Sequence, residues 1–166
     1  KLEALRDLLQ EAVEGGHKVL VFSNFASMLR LAARMCEGIG LLYEYIDGDT
    51  KDRQARVDRF QTDPSVSVFF LTLQTGGTGI NLQAADVVIV YDPWWNPARE
   101  DQGIARAYRI GQGKQVTAYR LVAADTIDEK VLALKAKKRV TAASLLEGAP
   151  GSSSNLSLAE MRALIE

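Results

Sequence analysis

Three side chains at helical spacing could act together on an anion: Gln102, Arg106 and Arg109. Four and three residues apart, they share one face of a helix begun by Pro97, and two guanidiniums on such a face can converge on a phosphate. Arginines so placed neutralise charge on a transferring phosphoryl group, a role often supplied across an interface. The same spacing also fits a solvated basic face with local salt bridges to Glu100 or Asp101, and spacing alone leaves both readings open.

A second group is Thr75-Gly76-Gly77-Thr78-Gly79-Ile80-Asn81, directly after an apolar run that ends near Leu71. Glycines in a strand-to-helix turn let backbone amides approach phosphate oxygens, although tight connections use the same residues. Leu82 stands where a dinucleotide fingerprint needs a third glycine, which disfavours that class of ligand. The one Gly-Lys pair, Gly113-Lys114, is followed by Gln115 and has Tyr108 where a P-loop needs its first glycine, so this sequence has no phosphate cradle of its own. Asp92 ends a strand in the manner of a magnesium-binding acid, but Pro93 and Trp94 follow it where a second acid would orient water, so a strand-end role fits it better. No metal ligands are assigned.

Two further segments allow either packing or binding. Trp94 and Trp95 sit in a loop, where large aromatics either close a core or stack on something. The run Lys135-Ala136-Lys137-Lys138-Arg139 reads as a solvated helix face, with phosphate contact as the alternative.

The elements that must position these groups follow from apolar periodicity. Runs at Lys18 to Phe22, Tyr43 to Ile46, Val66 to Leu71, Val87 to Tyr91 and Val116 to Val122 predict strands, several without the polar alternation of a half-exposed sheet. Phe25 to Glu37, Lys51 to Phe60 and Pro97 to Ile110 are long enough for crossover helices, and the chain opens at Lys1 in what reads as a helix already under way, as a piece of a longer polypeptide would. The pattern predicts an α/β fold, a doubly wound and mainly parallel sheet with helices on both faces. Asn96 is placed to cap the helix that starts at Pro97. Thr126 with Glu129 forms a capping pattern for a long helix over 126–147, with Ile127, Val131, Leu134 and Leu145 as its packing stripe. Residues 148–156 read as a flexible linker and 157–166 as a short terminal helix, leaving 1–147 as one domain.

With 166 residues, 47% hydrophobic and 25% charged, the chain is long enough to bury one core. A net charge of -1 provides no global attraction for nucleic acid, so any such contact must be local. Cys36 is the single cysteine and can form no internal disulfide; it reads as a buried small hydrophobe in a reducing compartment. No apolar run is long enough to span a bilayer and no membrane role is expected.

Taken together, Gly16-His17-Lys18-Val19-Leu20-Val21-Phe22-Ser23-Asn24-Phe25, then Asp47-Gly48 with Arg53 and Phe60, then the segments above resemble the C-terminal RecA-like lobe of Snf2-family ATPases, superfamily 2 relatives of helicases. Gly76 to Leu82 with Ala84-Ala85-Asp86 resembles helicase motif V, and Gln102 to Gln112 resembles motif VI. The tryptophan loop is most similar to that of bacterial members and of one eukaryotic subgroup.

The resemblance implies a motor that translocates on double-stranded DNA. ATP would bind between two lobes, with the Walker motifs and most Mg2+ ligands on the N-terminal lobe, so this chain alone would not hydrolyse ATP. Arg106 and Arg109 would contact the γ-phosphate with Gln102 beside them, Gly79 and Asn81 would line the interlobe cleft, and Ser23, Asn24, Thr72, Gln74 and Trp95 would face DNA. The helix after Thr126 would brace the first lobe. Partners would be DNA, the preceding lobe and a DNA-bound protein such as RNA polymerase, in a bacterial cytoplasm or a eukaryotic nucleus. Gln74 stands where relatives often carry a cation and Asn24 where Gln is common, which implies weak DNA affinity for this lobe. Gly103, Ala105 and Tyr108 replace the usual Ala, Asp and His of motif VI, which leaves a second reading: a decayed lobe kept as a nucleic-acid or protein binding module.

Overall fold

The apolar runs pair side by side, all in one direction. A computed structural model describes residues 1–72, 75, 80–94, 96–105 and 115–145, with backbone alone at 97, 99, 102, 103 and 137–145. Along the chain come α1 (Leu2–Glu14), β1 (Val19–Ser23), α2 (Ala26–Gly38), β2 (Leu42–Ile46), α3 (Arg53–Thr62), β3 (Val66–Thr72), β4 (Val87–Val90), α4 (Pro97–Ile104), β5 (Thr117–Arg120) and α5 (Ile127–Leu145). The sheet order is β2-β3-β1-β4-β5, with every pairing parallel.

The missing polar alternation has a direct cause. Side chains of successive strand residues point to opposite faces, and here both faces are covered. Val19, Val21, Val68, Phe70 and Ile89 pack under Leu5 and Leu9 of α1 and Leu29, Ala32 and Cys36 of α2. On the other face Leu20, Phe22, Phe69, Leu71 and Val88 pack with Val57 and Phe60 of α3, and with Leu82, Ala85 and Val116. Phe60 meets Phe69 edge-on with ring centres 5.1 Å apart. The edge strand β2 keeps its first residue exposed and buries only Glu44 and Ile46 fully, while β5 is exposed throughout.

Helices α1 and α2 stop in the same way. His17 N donates to Ala12 O at 3.0 Å and Gly16 N to Val13 O at 2.9 Å; Leu41 N donates to Cys36 O at 3.0 Å and Gly40 N to Glu37 O at 3.2 Å. This is the Schellman pattern, which needs a left-handed residue after the helix. Gly16 at φ 78° and Gly40 at φ 74° provide it, each one step before the chain turns toward a strand.

The amino-terminal edge of the sheet is stapled by charge. Asp86 accepts from Lys18 N at 3.1 Å and lies 3.0 Å from His17 Nδ1. The Lys18 ammonium donates to Phe60 O and, at 2.7 Å, to Asp63 O, closing the carboxyl end of α3. After β1 the chain builds β2 and β3 on one side, then crosses to β4 and β5 on the other. The carboxyl ends of β1 and β4 therefore flank a topological switch point, where open α/β sheets place their ligands.

Two expectations for α5 change. Thr126 Oγ1 accepts from Asp128 N at 3.2 Å, and the Glu129 carboxylate reaches back one residue further than a capping box, to Asp125 N at 3.2 Å. Among the described side chains the proposed stripe is also displaced: Ile127 is 54% exposed, Val131 and Leu134 are half-buried and Lys135 is buried, while the Leu145 side chain lies outside the described residues. Residues 146–166, with the expected linker and terminal helix, lie outside the described residues.

Candidate functional site

The expected contact residues collect at the carboxyl edge. Ser23 and Thr72 are lateral partners at the ends of β1 and β3. Ser23 is fully buried, its hydroxyl donates to the Asp92 carboxylate at the end of β4, and it accepts from Phe25 N at 3.1 Å. Asn24 Nδ2 donates to Asp92 O at 3.5 Å. Asp92 thus serves at a strand end, tying β1 to β4 across the switch point. Thr72 is also buried: its hydroxyl lies 2.7 Å from that of Thr75 and accepts from Thr75 N at 3.2 Å. Ser23 and Thr72 accordingly shape their loops through bonds within the chain, and the side chain presented outward next to them is Phe25, 60% exposed. Gln74 and Trp95 lie outside the described residues.

The segment after the glycine-rich turn is held from α3. Gln61 Nε2 donates to Asn81 O and Gln61 Oε1 accepts from Ala84 N, both at 2.9 Å, while Leu82 and Ala85 are buried beneath. Asn81 is half-buried and its Oδ1 is a buried acceptor without a hydrogen-bond partner. An acceptor left open in this way suits an outside donor. Gly79 lies outside the described residues. Sequence reasoning missed Gln61, which carried no signal beyond following Phe60 on α3.

After β2, the Asp47-Gly48 loop is closed by Arg53: Nε donates to Thr50 O at 3.0 Å and the guanidinium to Gly48 O at 3.0 Å. Burial alone would raise the Asp47 carboxyl, but hydrogen bonds from Thr50, Asp49 N and Tyr45 outweigh it and hold the group below its ordinary range.

Helix α4 begins as expected, with Asn96 Oδ1 accepting from Ala98 N at 3.1 Å. It reaches Ile104, and Ala105 N still donates to Asp101 O at 2.8 Å. Gln102 lies on this helix, its side chain undescribed; Arg106 and Arg109 lie outside the described residues.

The sequence offers Glu100 as a salt-bridge partner for those arginines and Lys135 as part of a solvated face. Instead Glu100 has no exposed surface, and Lys135 is 5% exposed and lies 2.7 Å from Glu100 Oε2. Arg120 Nε donates to Oε1 at 2.5 Å, and Trp94 N donates to Oε2 at 3.2 Å. Burial pushes this carboxyl up, and the donors from Lys135, Arg120 and Trp94 more than reverse the effect, leaving it below its usual value. No periodicity could have revealed the cluster, because its members come from four different elements.

Comparison with known proteins gives the family and the fold. Residues 1–111 match the helicase conserved C-terminal domain. The chain is 43% identical over 141 residues to Helicase SWR1 of Candida glabrata, covering 84% of this chain and 10% of that protein. It is 39% identical over 165 residues to the chromatin-remodeling ATPase INO80 of Pyricularia oryzae, covering 98% and 8%. It is 43% identical over 141 residues to the human lymphoid-specific helicase, covering 84% and 17%. It therefore spans under a fifth of the length of these relatives. The crystal structure of the C-terminal part of the Fun30 ATPase domain superposes with a TM-score of 0.77 at 31% identity, over 96% of this chain and 47% of that one. These relatives are fungal and human, so the bacterial resemblance, and with it RNA polymerase as a partner, finds no support among them. The chain belongs to the helicase conserved C-terminal domain family and is the second RecA-like lobe of an Snf2-family ATPase.

Proposed function

We propose that this lobe is one half of an ATP-driven double-stranded DNA translocase in which it closes on ATP held by the preceding lobe. The observation that carries this reading is α4, which starts at the switch point under an Asn96 cap and ends at Ile104, two positions before Arg106 and five before Arg109 in the sequence. In the closed state those two guanidiniums stabilise charge on the transferring phosphoryl group, with Gln102 beside them. Asn81 offers its open carbonyl oxygen at the cleft, next to Gly79. Mg2+ neutralises phosphate charge and is held mainly by the other lobe, which also supplies the phosphate cradle that this sequence lacks.

On the DNA side, Asn24, Gln74 and Trp95 contact the duplex, while Ser23 and Thr72 fix the loops that present them. Hydrolysis releases the arginines, the lobes part, and the enzyme steps along one strand. By analogy with the chromatin-remodelling relatives, the substrate is chromatin in a nucleus. The isolated lobe has no ATPase activity of its own.

The test is Arg109→Ala in the full-length enzyme, measured as DNA-stimulated ATPase. The expected loss is about 10³-fold. Near-normal turnover would remove Arg109 from the mechanism and favour a non-catalytic binding lobe.

A further inference from the structure

We infer that Glu100 is a positioning residue for the arginine-bearing segment, joining it to α5 so that a displacement of that helix is passed to α4. The inference rests on the motor reading above and adds the route by which the two ends of the lobe communicate.

Glu100 lies two residues before Gln102 and six before Arg106, on a helix whose backbone bonding continues to Ala105. Its two oxygens meet two hydrogen-bond donors and one ammonium. Oε1 takes the Arg120 guanidinium, at the end of β5; Oε2 takes Lys135 of α5 and the amide of Trp94, in the loop that leads from β4 to α4. One carboxylate therefore fixes the start of α4 to the loop before it, to the edge strand and to the long helix.

The Glu100 to Lys135 contact cannot be exchanged for water. Both side chains are buried, and separating them would leave a charge without a partner in a medium of low dielectric. A contact of this kind behaves as made or broken rather than stretched. Helix α5 is tethered once more, two turns earlier, where Asp128 Oδ2 takes the Lys1 ammonium at 2.6 Å and Ala123 N at 3.0 Å. With Asp128 and Lys135 both held, α5 cannot swing without loading the Glu100 carboxylate. A load there turns the first turn of α4, and with it the chain entering residues 106–109.

A purely structural ion pair predicts something different, and the full-length enzyme separates the two. Lys135→Met keeps the alkyl stem and removes the ammonium. DNA-stimulated kcat is expected to fall about tenfold with KM for ATP within about twofold, and base pairs moved per ATP to fall as well. The double variant Glu100→Gln/Lys135→Met removes both charges, so its thermal unfolding midpoint should recover from that of the single variants while kcat and step yield stay low. If activity returns together with stability, or if a folded Lys135→Met enzyme turns over and steps normally, the pair only holds the fold and the inference is overturned. Arg109→Ala reports separately: near-normal turnover there overturns the motor reading, whereas a dead Arg109→Ala beside a normal double variant overturns the role of Glu100 alone.

Discussion

Glu44 and Glu100 stand on opposite flanks of the sheet as buried carboxylates, each met by two cations. Glu44, on edge strand β2, takes Arg59 at 2.9 Å and Arg56 at 3.2 Å, both from the helix that follows it in sequence. Those arginine side chains remain 55% and 36% exposed, so each keeps its water if the carboxylate is lost. Glu100 takes Arg120 and Lys135 from elements 20 and 35 residues away, and the Lys135 side chain is only 6% exposed. The first cluster closes a local unit that would stay together without it. The second joins distant elements through a cation that has nowhere else to go. What separates a local staple from a mechanical joint is the burial of the cation and the sequence distance it spans.

The sharpest way to break this comparison is to remove one carboxylate charge at a time. Glu100→Gln should lower the stability of the chain by about 3 kcal/mol, the range found when one member of a buried pair is deleted. Glu44→Gln should cost about 1 kcal/mol, because its cations are half in solvent. Urea unfolding of both variants measures the difference. Equal losses would mean that cation exposure does not distinguish the two flanks.

Acid should narrow the same gap. The folded Glu100 carboxyl sits below its ordinary value, so the unfolded chain takes up its proton first as pH falls. Its stabilisation is complete above the unfolded value of about 4.3 and disappears as pH drops through the lower folded value. The wild type should therefore lose its advantage over Glu100→Gln progressively below about pH 5. Asp47 is also held low, but it is present in both proteins and cancels in the difference. A gap that stays constant down to pH 3 would mean that the Glu100 charge contributes nothing to stability.

The sequence announced the sheet because β1, β3 and β4 are covered on both faces, which forces unbroken apolar runs such as Val19 to Phe22. The cap at Asn96 was equally legible, since Asn96 before Pro97 is a local signal with a local consequence. What stayed hidden depends on residues far apart in the chain. Lys135 sits in a basic run that any reading by composition places in water, and only the meeting of α5 with α4 reveals it as buried. The family resemblance implies that Ser23 and Thr72 face DNA, but strand ends at a switch point also face one another, and each hydroxyl has a partner inside the protein. Gln61 was invisible for the same reason, its partners being 20 and 23 residues downstream.

The smallest expected effect tests whether the two flanks are mechanically separate. Cys36 of α2 faces the core, and burial, with the Glu37 charge, pushes its thiol up to about 12. At pH 8 only about 10⁻⁴ of it would be thiolate, so maleimide labelling of the folded chain should be very slow and should accelerate on unfolding in urea. In Glu100→Gln, under conditions where the chain stays folded, the labelling rate should match that of the wild type, because the packing of α1, α2 and β1 does not depend on the α4 to α5 joint. A rate that rises in step with the lost stability would show that Cys36 is exposed only by opening of the whole domain. A rise larger than that would mean that loosening at Glu100 spreads across the sheet to the α2 face, and the division into a stapled flank and a jointed flank would have to be abandoned.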